Sequence, residues 1–183
     1  SGNDASVAIA EHVGHGVDSF AVLMNQHARS LGMTGSHFVN PHGLPHPEHY
    51  TTARDMAKLA RALIARFPRL YAWHSMQSFE HNGIKQKNRN RLLWSDGSVD
   101  GVKTGFTEAA GYCLVASAKR SGMRLISVVM GTKSAKERIA DSKKLLDFGF
   151  RNYETHRVFS KGQAVTDARV WQGVAERVEL GLE

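Results

Sequence analysis

An α+β fold, one antiparallel sheet flanked by helices, is predicted by three features of the 183-residue sequence. Two segments in its first half repeat apolar residues at helical spacing. Two adjoining later runs are rich in β-forming residues and apolar at nearly every position. A third helical segment follows them directly, so the sheet has helices on both sides of it in sequence and two faces to cover.

In chain order, the first helix runs near Asp18 to Leu31, with Phe20, Leu23, Met24 and Leu31 on one face and Gly32 as its stop. The second spans Thr52 to Phe67 and sets Met56, Leu59, Ala60, Leu63, Ile64 and Phe67 three and four apart. Thr52 with Asp55 resembles a capping box, and Pro68 ends the helix. Tyr112 to Lys119 and Met123 to Met130 are the strands, joined by the short turn Arg120-Ser121-Gly122. The third helix follows Ser134, has Glu137 three residues on, and is expected to bury Ile139, Leu145 and Leu146. Past Phe150 the pattern changes. Val158-Phe159, Val170-Trp171 and the alternating Val178, Leu180 and Leu182 suggest short strands and no further helix. Thirty residues cannot form a β domain alone. Residues 151–183 are therefore expected to begin a second, truncated β-rich domain or to extend the first, which covers 1–150.

Composition narrows the function. With 42% hydrophobic and 22% charged residues, the chain is neither disordered nor of low complexity. The longest apolar stretches, such as Leu125 to Met130, are strand-sized and far short of a membrane span. The opening Ser1-Gly2-Asn3-Asp4 has neither the basic nor the apolar part of a signal peptide. A net charge of +7 comes from Lys and Arg scattered along the chain, without an aromatic-and-basic recognition string, so no nucleic-acid partner is expected. One cysteine, Cys113, rules out an internal disulfide and is expected to be a buried small residue in mid-strand. His42, His46 and His49 crowd one loop and His12 and His15 another, but no His-Glu-x-x-His frame exists. No metal and no cofactor are expected.

The chemistry lies in Lys103-Thr104-Gly105. On an extended segment just before the first long strand, it sets a cation, a hydroxyl and a backbone without side chain in succession. Gly105 lets a substrate backbone approach closely, Thr104 can hydrogen-bond a carboxylate, and Lys103 supplies a positive field. About a hundred residues earlier stands Ser1-Gly2-Asn3, a Ser-x-Asn element. Between and after them lie Asn40-Pro41-His42-Gly43-Leu44, Ala53-Arg54-Asp55-Met56-Ala57, Asn88-Arg89-Asn90, Asp100-Gly101-Val102 and Ser142-Lys143-Lys144-Leu145-Leu146. In this order and spacing the chain resembles the serine-type D-alanyl-D-alanine carboxypeptidases, the low-molecular-mass penicillin-binding proteins. The resemblance runs from Ser1 to about Phe150 and more weakly beyond.

That resemblance implies a β-lactamase/transpeptidase-like sheet, incomplete at its N-terminus, with 1–150 as the C-terminal part of the catalytic domain. The family's Ser-x-x-Lys element, which holds the nucleophile and its base, has no counterpart: no Ser or Thr here has Lys three positions later. Its nucleophilic Ser and Lys are expected on a missing N-terminal segment. The implied substrate is a peptidoglycan stem peptide ending in D-Ala-D-Ala, with β-lactam antibiotics as mimics. Ser1 would shuttle a proton to the leaving amine, Asn3 would hold the substrate amide, and Lys103 would order the hydrogen bonds around Ser1. Thr104 and Arg138 would receive the terminal carboxylate across Gly105, and the backbone N–H of Phe106 would serve as an oxyanion donor. The family further implies a periplasmic protein held at the inner-membrane surface by a C-terminal anchor absent from this chain. The alternative is a binding module that recognises peptidoglycan termini or penicillin without cleaving them; a Ser-x-x-Lys upstream of Ser1 would discriminate the two.

Overall fold

A helix not anticipated from the sequence opens the chain: α1 (Asn3–Gly14) begins inside the Ser-x-Asn element, with Gly2 at its N-cap and Asp4 in its first turn. His12 belongs to this helix and His15 caps it in the left-handed region, so these two histidines do not share a loop as expected. In the computed structural model, which describes residues 2–181, α2 (Val17–Ser30) follows and packs on α1. The crossing is close because Gly14 has no side chain. A Cβ there would lie 2.7–2.9 Å from Phe20.

After a long loop, α3 (Ala53–Arg66) begins at Thr52, whose side chain accepts the Asp55 N–H as expected of its cap. The return half of the capping box is absent. Asp55 turns inward, 2% exposed, and accepts from the Gly35 N–H, the Ser36 hydroxyl and the Lys58 ammonium, all within 3.2 Å. Burial alone pushes the Asp55 carboxyl upward, but these three donors together hold it below the usual range. Leu59 and Phe67, expected on the buried face, are exposed. Pro68 ends α3 and starts the single turn α4 (Pro68–Tyr71), continued by a 3-10 turn at Ala72–Ser75.

Next come β1 (Ser78–His81) and β2 (Ile84–Lys87), an antiparallel pair turning at Asn82-Gly83, both with positive φ. The one-turn helix α5 (Leu92–Ser95) leads into the sheet, formed by β3 (Val99–Thr107), β4 (Gly111–Arg120) and β5 (Met123–Thr132) in that spatial order, all antiparallel. Lys103-Thr104-Gly105 therefore lies within a strand and not ahead of one. The β3–β4 register shifts between Val99 and Gly101, leaving Asp100 as the extra residue, then runs unbroken from Gly101↔Ser117 to Thr107↔Gly111.

Both faces of the sheet are covered, as its apolar strands require. Leu114, Ala116 and Ala118 of β4 pack with Leu92, Leu93 and Leu146, the last from α6 (Ala135–Asn152). Val115, between them, packs on the other side with Ala60 and Tyr71, and Met56, Leu63 and Ile64 of α3 close that layer. On α6, Leu146 is 1% exposed and Ile139 packs beside it, but Leu145 is half exposed, contrary to expectation. It lies one residue, or 100° of helix turn, before Leu146, and the buried stripe runs through Arg138, Ser142, Leu146 and Gly149. Arg120 ties this layer together by reaching Asp96 at 2.7 Å and Asp147 at 2.9 Å.

The chain divides into two compact units, the first ending at Asn152 and the second beginning at Tyr153. The second contains the antiparallel pair β6 (Ala164–Arg169) and β7 (Arg177–Gly181). Val178 and Leu180 lie in β7, whereas Val158-Phe159 and Val170-Trp171 form no strand, and Leu182 lies outside the described residues.

Candidate functional site

β3 carries the cationic element along an outer margin of the sheet, its hydrogen-bonded neighbour being β4 on the other side. Lys103 pairs across the strands with Val115, Thr104 with Leu114, Gly105 with Cys113 and Phe106 with Tyr112. Thr104 is 7% exposed, while Lys103, Gly105 and Phe106 reach the surface. The Lys103 ammonium donates back to the Thr104 carbonyl. Phe106 packs its ring against Tyr112, centroids 4.3 Å apart.

Arg138 arrives from α6. It is 6% exposed and donates to the Gly105 carbonyl at 3.0 Å, with the Cys113 carbonyl at 3.4 Å and its guanidinium 5.4 Å from the Tyr112 ring. An arginine that deep needs compensation, and the carbonyls of two paired strands and an aromatic face supply it. Arg138 thus grips Gly105 and its cross-strand partner Cys113. Cys113 is half-buried, not enclosed, and its Sγ faces the Ala110 carbonyl at 3.5 Å.

Arg89, whose place between two asparagines in the sequence favours a structural role over support of the site floor, acts electrostatically on the site. It lies in the Asn88-Arg89-Asn90 segment, far from Lys103 in sequence, yet its charge acts on both Lys103 and Arg138. Desolvation first, then repulsion from Arg89 and Arg138, holds the Lys103 ammonium below the ordinary lysine range. Lys103 and Arg138 at one strand, with the charge of Arg89 acting on both, make a region that favours an anionic ligand. The only sequence signal for Arg89 is its position between two asparagines, both of which bond backbone here.

Of the remaining site residues, Asn3 begins α1, where its carbonyl accepts the Ser6 hydroxyl at 2.7 Å. Ser1 lies outside the described residues. In the loop before α3, His42, His46 and His49 each accept a backbone N–H at Nδ1, from Leu44, Glu48 and Val39 respectively. Among the described residues no group of three or more His, Cys, Asp or Glu is placed to hold a metal ion, and no helix is long and apolar enough to cross a membrane.

A profile described as D-alanyl-D-alanine carboxypeptidase matches residues 1–134. The chain is 47% identical over 183 residues to D-alanyl-D-alanine carboxypeptidase DacA of Haemophilus influenzae, covering 99% of this chain and 47% of that protein. It is 49% identical over 182 residues to DacC of Escherichia coli K12, covering 99% and 46%. Penicillin binding protein 5 from Haemophilus influenzae superposes with a TM-score of 0.92 at 46% identity, over 99% of this chain and 53% of that one. Penicillin-binding protein D2 from Listeria monocytogenes, in its cefotaxime-bound form, superposes with a TM-score of 0.75 at 34% identity, over 81% and 61%. These likenesses bear out the transpeptidase-like sheet expected from the motifs. The chain spans about half the length of the curated relatives it matches. From the profile match and the ordered motifs, the chain belongs to the D-alanyl-D-alanine carboxypeptidase family.

Proposed function

We propose that this chain is the C-terminal portion of a serine-type D-alanyl-D-alanine carboxypeptidase that removes the last D-alanine from peptidoglycan stem pentapeptides. The observation that carries the reading is Lys103-Thr104-Gly105 on a marginal strand, with Arg138 bonded to Gly105. The free terminal carboxylate of such a peptide is an anion that this cluster would attract, and an extended peptide can lie along β3 where Gly105 leaves room.

In this scheme a serine on an upstream segment attacks the carbonyl between the two D-alanines, D-alanine leaves, and water hydrolyses the ester. Ser1 carries the proton to the leaving amine and Asn3 holds the substrate amide. Lys103 keeps the field positive, Thr104 with Arg138 receives the carboxylate, and the Phe106 N–H donates to the oxyanion. Arg138 contributes there as a buried charge, since its hydrogen bonds go to the Gly105 and Cys113 carbonyls. A β-lactam mimics the dipeptide terminus and is trapped as a slowly hydrolysed ester. The bound cefotaxime and ampicillin of the Listeria relative support that part. Residues 1–150 then complete a catalytic domain, 151–183 begin a β-rich second domain, and the whole protein works in the periplasm at the inner-membrane surface.

Fluorescent penicillin labelling tests the division of labour. The full-length protein, bearing a Ser-x-x-Lys ahead of Ser1, is expected to label covalently and to release D-alanine from a pentapeptide, while the 183-residue chain alone stays unlabelled. Labelling of the chain alone overturns the split site. A full-length protein without Ser-x-x-Lys that binds but never labels is instead a non-catalytic binder.

A further inference from the structure

Immediately before Lys103, three successive residues are each held by a group from outside the sheet. The Tyr71 hydroxyl, from α4, donates to Asp100 Oδ1 at 2.7 Å. The Asn90 amide donates to the Gly101 carbonyl at 3.0 Å. His74, in the 3-10 turn, donates from Nδ1 to the Val102 carbonyl at 2.9 Å. These groups are themselves fixed. Tyr71 is 6% exposed, stacks on His74 with centroids 5.5 Å apart, and would meet a Cβ at Gly101 at 2.6 Å. Asn90 is 1% exposed, and its Oδ1 accepts the Leu92 N–H. Arg124 of β5 grips Asp100 from the sheet side at 2.7–2.8 Å.

Asp100 is also the bulged residue of β3, and a bulge sets which face every later side chain takes. We propose that Tyr71, His74 and Asn90 are positioning residues that pin the Asp100 side chain and the Gly101 and Val102 carbonyls and so fix how Lys103, Thr104 and Gly105 are presented to the substrate. None of the three needs to touch substrate. Their hydrogen bonds end on the strand one to three residues upstream of the cationic element. The inference rests on the carboxypeptidase reading above for its kinetic consequence, but not for its structural one.

The test uses the full-length protein with His74→Phe, which keeps the ring stack and removes the donor, and His74→Asn, whose amide sits where Nδ1 does. Tyr71→Phe is the second, independent variant. His74→Phe is expected to slow acylation by a fluorescent penicillin between about ten- and a hundredfold, with the KM for a pentapeptide changed less than about threefold. His74→Asn is expected to return acylation to within about threefold of wild type, and Tyr71→Phe to slow it without loss of fold. Hydrogen–deuterium exchange over residues 99–107 should quicken in His74→Phe and recover in His74→Asn. Unchanged exchange over that strand in both His74→Phe and Tyr71→Phe overturns the proposal, whatever the activity. So does wild-type acylation in folded His74→Phe. A wild-type protein that never acylates, with exchange responding as stated, overturns the carboxypeptidase reading and leaves the pinning intact.

Discussion

Lys103 is the residue on which the proposed chemistry turns, and its environment gives it two measurable signatures. Replacing it in the full-length protein by alanine removes the central cation of the cluster, and acylation by penicillin should fall by at least about 10²–10³-fold, the scale on which a preorganised electrostatic contact is lost. His46→Ala, in a loop where its imidazole accepts the Glu48 N–H, should leave acylation near wild type. The second signature is in the pH profile. Desolvation and the charges of Arg89 and Arg138 make the ammonium easier to deprotonate, so activity should decline on the alkaline side earlier than an ordinary lysine would dictate. Arg89→Gln removes one repelling charge, raises the Lys103 pKa, and should move that alkaline limb to higher pH, as read from kcat/KM against pH. The cationic element itself could be read from the sequence because its three members are contiguous. Arg138 could be placed there by its spacing before Ser142-Lys143-Lys144 in the family pattern, whereas Arg89 reaches the element through topology, from the loop before α5.

At the scale of elements, the Asp55 carboxylate fastens the start of α3 to the Gly35–Ser36 loop. Its pKa in the folded state lies below the value of about 3.9 expected unfolded, so it adds stability above that pH and loses it as pH falls through the folded value. Asp55→Asn presents an amide to donors that need an acceptor. Its melting temperature should drop at neutral pH, and the gap to wild type should close below about pH 4, followed by thermal circular dichroism. Gly14→Ala puts a methyl against the Phe20 backbone and should cost about 1–3 kcal/mol in urea unfolding. α3 was readable because cap, periodicity and Pro68 agree. α1 is masked in the sequence by the Ser-x-Asn element within which it starts, although Ala5, Ala8 and Ala10 favour a helix. β3 was obscured by Gly101 and Gly105, which break a strand's apolar pattern while serving close approach, and by Lys103, whose side chain reaches the surface. The β1–β2 turn carried the strongest local signal of all, Asn82-Gly83, between strands whose residues are exposed throughout and so offer no burial pattern to find.

Over the whole molecule, stability is concentrated in the first unit. Its sheet is covered on both faces, whereas none of residues 153–181 is buried. Two strands without a core are marginal in water. Limited proteolysis of the 183-residue chain should therefore cut first between 153 and 163, leaving a product ending near Asn152 that resists further digestion. Equal rates of cleavage within β4 would contradict this. The placing of a three-stranded sheet with β4 at its centre has a further bearing on handling. β3 and β5 each bond to a single neighbour among the described residues, and β5 is the more apolar, holding Leu125, Ile126, Val128 and Val129. Such a margin is a template for another copy's backbone. Purified by itself at high concentration, this polypeptide should sediment as species larger than a monomer, and Met130→Lys, at an exposed position of β5, should restore the smaller one.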